Sequence, residues 1–571
     1  MKKTGLLIAL SLLSLSIWAQ DIFYEYHPHN KNVKFVSSNL PIVIIDLYQE
    51  IKYKGSTERT GAIITILDRK DGGKNLMSDE YGYPDFDRNI YNYDGIVGIK
   101  YRGNTSFSLS DKKPFSIHTL DNQGNKKEAN ILGMGAHHDW VLMAPYADKS
   151  LMRDVLTFEL QKGYFDYTPK ARYCELVIEG VYQGVYIIVA RARRGDNRID
   201  LPKPKAEGDA LTGGYQLYID RVDASNGGFY SKYVNQTSTG DMPAKYRSHF
   251  QYIYPDLEDY TPAQLDYIHT FINDLEESLL DENFADPELG RYRDYIDVTS
   301  AIDYILTQEY TYNADGYRLS TPIYKYNDSK DPRLKFSIWD FNIAYGNVDY
   351  LWDRKSFSGW AYLVNDRILA QGHENSAPFW FQRMMKDESF VEELRQRWCQ
   401  YRSTTHSDKS VTRKIDSLSK LLDDAQYRNF LAWRILGNYV WPDPDVKDTW
   451  EEEVEEMKTF LLNRMGWMDR ELNVFQIQTI ENGTAMPSTA YEGMTITLTA
   501  RAPEENMEFL YWEGADAGLL EDRYSPTTRF VTDGSSVNIS AVFNALPPIV
   551  DTENASVKQQ FIYPKIGRAH V

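Results

Sequence analysis

QEYTYNADGYRLSTPIYKYNDSKDPRLKFSIWDFNIAYG, residues 308–346, is the stretch on which the reading of the fold turns. Just upstream and into it, Val298, Ala301, Ile302, Ile305 and Leu306 recur at i, i+3, i+4, i+7 and i+8, the stripe of an amphipathic helix, with Asp297 or Thr299 as its cap. The helix is predicted to stop near Asn313, because Asn-Ala-Asp-Gly is turn chemistry and Gly316 accepts a positive φ. Alternating Thr321–Asn327 and Leu334–Phe341 flank the polar turn DSKDPR and predict an antiparallel hairpin. If Asn327 pairs with Arg333, Ser320 falls opposite Asp340, and Asp315 lies in the loop just beyond.

Two aspartates so placed suit phosphoryl transfer, in which one orients the attacking hydroxyl and the other holds the metal that bridges the phosphates. Protein kinases carry a metal-binding Asn five residues after the catalytic Asp, and a D-F-G one hairpin later. Here Ser320 occupies the +5 position and W-D-F-N supplies Asp340. Asn342 offers a further oxygen if the strand continues, since it would share a face with Asp340. From spacing alone a plainer reading stays open: Asp315 caps a turn, and Asp340 is a strand-end carboxylate with local partners.

Six blocks in order decide between them: RGNTSFSLSDKKPFSI (102–117), HDWVLMAPYADKSLMRDVLTFEL (138–160), YCELVIEGVYQGVYIIVARARRGDNRIDL (173–201), GGYQLYID (213–220), NADGYRLS (313–320) and WDFNIAYGN (339–347). From about residue 40 to 470 the chain resembles the spore coat protein H (CotH) kinase family. The resemblance implies an atypical protein-kinase-like two-lobed α+β fold, ATP and Mg²⁺ or Mn²⁺ as cofactors, and a protein substrate or another surface polymer. It matches Asp315 to the catalytic aspartate and Asp340 to the metal aspartate, with Asn342 and Ser320 as accessory metal ligands where the family carries Asp and Asn. A kinase also needs a cation on the phosphates, usually a strand lysine held by a helix glutamate. Lys113, opening PFSIHTL, and Glu159, on the helix after Asp148, are the candidates; Arg102 in the RGN turn is a second candidate cation, and Arg153 reads as structural. A surface ion pair is the alternative for each.

The 571 residues exceed one core and predict two to four domains. Lys2, Lys3, the apolar run Leu6–Leu15 and Ser16-Ile17-Trp18-Ala19 read as a secretory signal over 1–19, without a lipoprotein cysteine, so the protein is expected to be exported. No later run approaches the roughly 20 apolar residues of a spanning helix. Loss of the two signal lysines takes the net charge from −19 to −21, which argues against nucleic acid as a partner. Cys174 and Cys399 are expected as two buried free thiols. His137-His138 point in different directions and carry no metal expectation.

PIVIID (41–46) and GAIITIL (61–67) open a β-rich N-terminal lobe, about 40–200, with a hairpin turning at Gly180. Residues 225–260 read as a long loop, Thr261-Pro262 starts a helix, and a helical C-terminal lobe fills about 260–472. The run EEEVEE (451–456) reads as a solvated helix face. Over 473–544, Gly483, Gly493, Trp512, Gly514 and Phe543 resemble one internalin-B-like bacterial repeat, a small all-β module of spacer type. Residues 545–571 read as a Pro linker and a truncated tail, whose IGRAHV looks like a translated adapter.

Two function classes follow. One is an exported kinase. The other is a surface binding or scaffold protein on a kinase-like fold, favoured by Ser320 at the +5 position. A glycosidase would also use two carboxylates about 5–9.5 Å apart, but nothing else in the chain supports sugar cleavage.

Overall fold

The alternating apolar runs of the first half close on themselves. In the computed structural model, which describes residues 24, 27–53, 56, 58–77, 90–223, 226–234, 237–238, 243–352, 356–477, 479–535 and 537–546, seven strands make a closed barrel. They are β1 (Ile42–Leu47), β2 (Thr60–Leu67), β3 (Tyr91–Tyr101), β4 (Phe115–Thr119), β5 (Asp139–Met143), β6 (Lys170–Ile178) and β7 (Val181–Ala190). Neighbours run β6-β7-β5-β4-β3-β2-β1, and a parallel pairing of β6 with β1 completes the ring. The signal segment 1–19 and the tail beyond 546 lie outside the described residues.

The period of two fixes the barrel's chemistry. Ile64, Val97, Ile117, Trp140, Leu176 and Ile188 point into one shared core. The alternate positions Ser116, His118 and Asp139 face outward, next to one another across β4 and β5. Glu179 and Gly180, at φ 48° and 75°, form the two-residue turn between β6 and β7.

A five-stranded antiparallel sheet follows, with β8 (Tyr215–Ile219), β9 (Phe229–Tyr230), β10 (His249–Tyr254), β11 (Thr321–Lys325) and β12 (Leu334–Phe336) in the order β9-β10-β8-β11-β12. β10 lies inside the segment expected to be loop. Its five leading residues are all buried, the polar His249 and Gln251 included, so the strand lacks the solvent-facing side that would mark it in the sequence.

The helices include α1 (Arg153–Leu160), α2 (Pro262–Leu280), α3 (Val298–Thr311), α4 (Glu388–Ser403), α5 (Asp408–Ala432) and α6 (Trp450–Glu471). Thr261 and Gln264 form a full capping box on α2, with Pro262 at its first position. Asp297 caps α3 by accepting from Ser300 N at 2.8 Å. The solvated-face reading of 451–456 fails at Glu453, which is 2 % exposed and 3.5 Å from the buried Lys149 ammonium. Burial first, then Asp443, pushes its carboxyl up to about 7.

The described residues divide into two compact units between Leu472 and Asn473. In the second, β13 (Thr479–Glu481), β14 (Gly483–Met486), β15 (Thr495–Ala500), β16 (Met507–Glu513), β17 (Thr527–Val531) and β18 (Asn538–Ala545) form two three-stranded sheets, β13-β18-β16 and β14-β15-β17. Trp512 sits in their common core with Ile496, Leu498, Phe530 and Ile539. Gly483 is required there, since a Cβ would come within 2.8 Å of the Trp512 ring. Cys174 and Cys399 are buried thiols that form no disulfide with each other. Among the described residues no helix is long and apolar enough to cross a membrane.

Candidate active site

The hairpin forms, but one residue out of the expected register. Lys325 faces Leu334, Tyr324 faces Lys335 and Ile323 faces Phe336. The turn explains the offset: Lys330 N and Asp331 N both donate to Asn327 O at 3.0 Å, so the loop closes on Asn327 itself. β12 also ends at Phe336 and not at Phe341. Beyond a last bond from Ser337 N to Pro322 O, at 2.9 Å, the chain leaves the ladder.

Asp340 then adopts φ +66°, a left-handed conformation that costs a non-glycine residue roughly 1–3 kcal/mol. Tyr317 at +70° and Ser320 at +50° do the same on the facing loop. The turned backbones bring Ser320 and Asp340 together without a strand pairing, Ser320 Oγ donating to Asp340 Oδ2 at 3.2 Å. Asn342 loses its predicted same-face relation to Asp340, because it lies in a turn whose carbonyl accepts from Asn347 Nδ2 at 2.8 Å. Gly316 is not the positive-φ residue. It packs closely, since a Cβ there would meet Gln308 Oε1 at 2.5 Å and Asn313 O at 3.1 Å.

Asn313 ties the two aspartate loops to each other. Its Oδ1 accepts from Asp315 N at 3.2 Å and its Nδ2 donates to Asp340 O at 3.1 Å. Arg318 Nη2 holds Asp315 Oδ1 at 3.1 Å. Burial first, and next the charge of Asp315, raise the Asp340 carboxyl above the ordinary range, against Arg102 and the Ser320 hydroxyl.

Two further carboxyls, which sequence reasoning missed, complete the acidic floor. Asp154, on the first turn of α1, accepts from Phe341 N at 2.7 Å. Burial and then Asp340 lift it well above the usual carboxylate value. Asp220, just past β8, is pushed to about 6 by burial, with Asp315 and Asp340 adding repulsion. The signal for each was an acid abutting an apolar run, in SLMRD and QLYID.

The cations fall differently from expectation. Lys113 Nζ donates to the carbonyls of Phe107 and Ser110 at 2.7 and 2.6 Å, while Glu159 pairs with Lys414 at 3.1 Å. The structure does not bring Lys113 and Glu159 together. The adjacent Lys112 is fully buried, its ammonium donating to Pro145 O, Val185 O and Asn429 Oδ1, which fastens the barrel to α5. Arg102 instead stands beside Asp340, its guanidinium 5.4 Å from the Trp339 ring centre. Among the described residues its side chain makes no hydrogen bond or ion pair. Burial first, then Arg191, lower it below the ordinary arginine range, and Asp340 draws it back.

Among the described residues no group of three or more histidine, cysteine, aspartate or glutamate side chains converges as a ready metal cage. The donor set still fits a hard divalent cation. Asp340 and Ser320 present adjoining oxygens, and mutual repulsion among the acids is what a bound cation relieves. Mg²⁺ characteristically takes one or two carboxylates plus phosphate oxygens, not a complete protein cage.

No curated protein matches the chain. A family model described as CotH kinase protein matches residues 99–468, a span that holds Arg102, Asp154, Asp220, Asp315 and Asp340. The chain belongs to the CotH kinase family.

Proposed function

We propose that the protein is an exported kinase that transfers the γ-phosphate of ATP to a hydroxyl of a protein or other surface polymer, with Mg²⁺ or Mn²⁺. The observation that carries this reading is Asp340, turned into a left-handed conformation between the Ser320 hydroxyl and the like charges of Asp315 and Asp154. Arg102 and Arg221 only partly offset the repulsion on a carboxylate so placed, and backbone strain of this kind gathers where function holds it.

In this reading Asp315, steadied by Arg318 and Asn313, orients the acceptor hydroxyl and takes its proton as the new bond forms. Arg102 lies against the phosphates. Asp340 and Ser320 would hold the cation. When bound, that cation neutralises phosphate charge and polarises the transferring group. Asp154 fixes the Asp340–Phe341 peptide from behind. Export rests on residues 1–19.

The test is incubation with labelled ATP and Mg²⁺ or Mn²⁺, with export checked by fractionation. Label incorporation by the parent, absent from Asp315→Asn and Asp340→Asn, is the expected result. Incorporation that survives both substitutions removes the mechanism. The scaffold reading, to which Ser320 at the +5 position lends weight, predicts no thermal stabilisation by nucleotide and metal, whereas a ligand-binding kinase gains RT ln(1 + [L]/Kd).

A further inference from the structure

On the side of Asp315 away from Arg102's role, the site runs out into a row of rings that the phosphoryl-transfer reading leaves unassigned. Arg318, whose Nη2 holds Asp315, also sends Nη1 to Glu374 O at 3.4 Å, which ties the loop at 372–375 to that aspartate. The neighbouring His373 ring stands 5.7 Å from the Tyr350 ring, centre to centre. Tyr350 in turn lies 5.7 Å from Trp441, with the two ring planes parallel to within 7°. Burial and then the charge of Asp315 raise the Tyr350 hydroxyl, while Arg318 and Arg221 draw it back. A line of contacts therefore leads from Asp315 outward to Trp441.

The fold presents Trp441 rigidly. It lies on the connection between α5 and α6, and the buried Lys149 ammonium grips that connection on either side of it, donating to Asn438 O at 2.9 Å and pairing with Asp443 at 2.7 Å. Pro442 and Pro444 stiffen the same stretch. Tyr350, His373 and Trp441 are each partly exposed, so ring surface stays open to solvent. Polar groups edge the row: Tyr439, 56 % exposed, donates its hydroxyl to Asp349 Oδ2 at 2.6 Å, and Gln371 Oε1 lies 3.3 Å from His373 Nε2. Two carboxylates along it are already paired, Asp315 with Arg318 at 3.1 Å and Glu374 with Lys245 at 3.2 Å.

We propose that the acceptor is a neutral glycan, one sugar ring of which stacks on Trp441 and Tyr350 and so brings a hydroxyl to Asp315. The chemistry of the row selects that class. A pyranose turns a flat face of C–H groups to an aromatic ring and a rim of hydroxyls to carboxylate, amide and phenol oxygens. With Asp315 and Glu374 already paired, the row offers a lysine-rich chain little to attract it. Tyr350 and Trp441 sit on a bend and a turn, so they offer no strand edge to which an extended peptide could add. The stacking stands on the rings alone; only the fate of the hydroxyl rests on the kinase reading. In that step the sugar oxygen bonds the γ-phosphorus, the bond from that phosphorus to the β-phosphate oxygen breaks, ADP departs with the electron pair, and the hydroxyl proton passes to Asp315.

Binding of the labelled full chain to an array of neutral hexose, N-acetylhexosamine and pentose oligosaccharides, without nucleotide or metal, tests the platform. The parent is expected to bind at least one class, and Trp441→Ala to weaken that binding roughly tenfold or more, the scale of one lost stacking contact. Trp441→Leu, which keeps an apolar side chain on the loop but no ring, is expected to lose binding likewise, and Trp441→Phe to recover most of it. A parent that binds no class, or Trp441→Ala and Trp441→Leu proteins that bind as the parent does, overturns the proposal. With ATP and the bound glycan as acceptor, the KM for glycan is expected to rise roughly tenfold in Trp441→Ala while the KM for ATP stays where it was. Asp315→Asn separates the two claims. It is expected to abolish transfer and keep glycan binding. Transfer that persists in Asp315→Asn defeats the kinase reading and leaves the glycan platform standing, whereas Asp315-dependent transfer to peptides, with no glycan bound, defeats the platform and leaves the kinase reading.

Discussion

Asp139 and Asp340 are both aspartates drawn out of water beside arginines, and their electrostatics are opposite. Burial alone raises the carboxyl of Asp139, but Arg191, Arg193, His118 and Arg198 together more than offset it and hold it well below the usual carboxylate range. Asp340 has Arg102 and Arg221 nearby, yet burial and Asp315 keep its carboxyl raised. The first is a counterion already engaged by its neighbours. The second is only partly offset by its arginines, which is the condition of a site made to receive a further cation.

Substitution at the two positions should therefore diverge. Asp139→Asn leaves Arg191 and Arg193 without their carboxylate and is expected to destabilise the protein by about 3–5 kcal/mol, as breaking a buried pair does; denaturant titration at pH 7 reads it. Asp340→Asn is expected to leave stability unchanged or raised in the same titration, since it removes a repelled charge. Equal losses at both positions would erase the contrast.

A smaller effect separates the cations. Arg102→Gln is expected to lower phosphoryl transfer roughly 100-fold, the scale of losing one charge-stabilising donor. Lys113→Met, whose ammonium is engaged by the Phe107 and Ser110 carbonyls, is expected to stay within about threefold of the parent. Reversal of that order in a radiolabel assay would restore the lysine.

Two pH effects are smaller still. For Glu453, at about 7 in the fold against an unfolded 4.5, the folded state keeps its proton where the unfolded state has released it. Stability contributed by this group is thus full below pH 4.5 and falls as pH rises through 7. Glu453→Gln is expected to be more stable than the parent by about 2 kcal/mol at pH 8, with the gap closing below pH 4.5, in parallel melts. Asp220, raised to about 6, has the same sign, and Asp220→Asn is expected to gain about 1 kcal/mol between pH 4 and 6.

Much of this was legible in the sequence where a regular period or a cap spoke for itself. The stripe from Val298 to Leu306, the Thr261-Pro262 helix start and the Gly180 turn all stand in the structure as read, and of the two candidate caps, Asp297 and Thr299, the structure uses Asp297. Around the site the spacing anticipated one contact, Ser320 with Asp340, but not the geometry that makes it. Ser320 and Asp340 meet, but through positive φ at two non-glycine residues, which no propensity announces. Extending Leu334–Phe341 as a strand therefore misplaced Asn342, and the one-residue register offset came from a turn that closes on Asn327. Lys113 and Glu159 were chosen by residue type, yet carbonyls and Lys414 claim them. Asp154, Asp220 and Asn313 went unread because their roles depend on loops that only the fold juxtaposes.

The most direct test of the account is a calorimetric titration of Mn²⁺ into the protein saturated with a non-hydrolysable ATP analogue, for the parent and for Asp340→Asn. The account predicts a binding isotherm for the parent that disappears in the variant while both proteins remain folded. The same isotherm from both would contradict it.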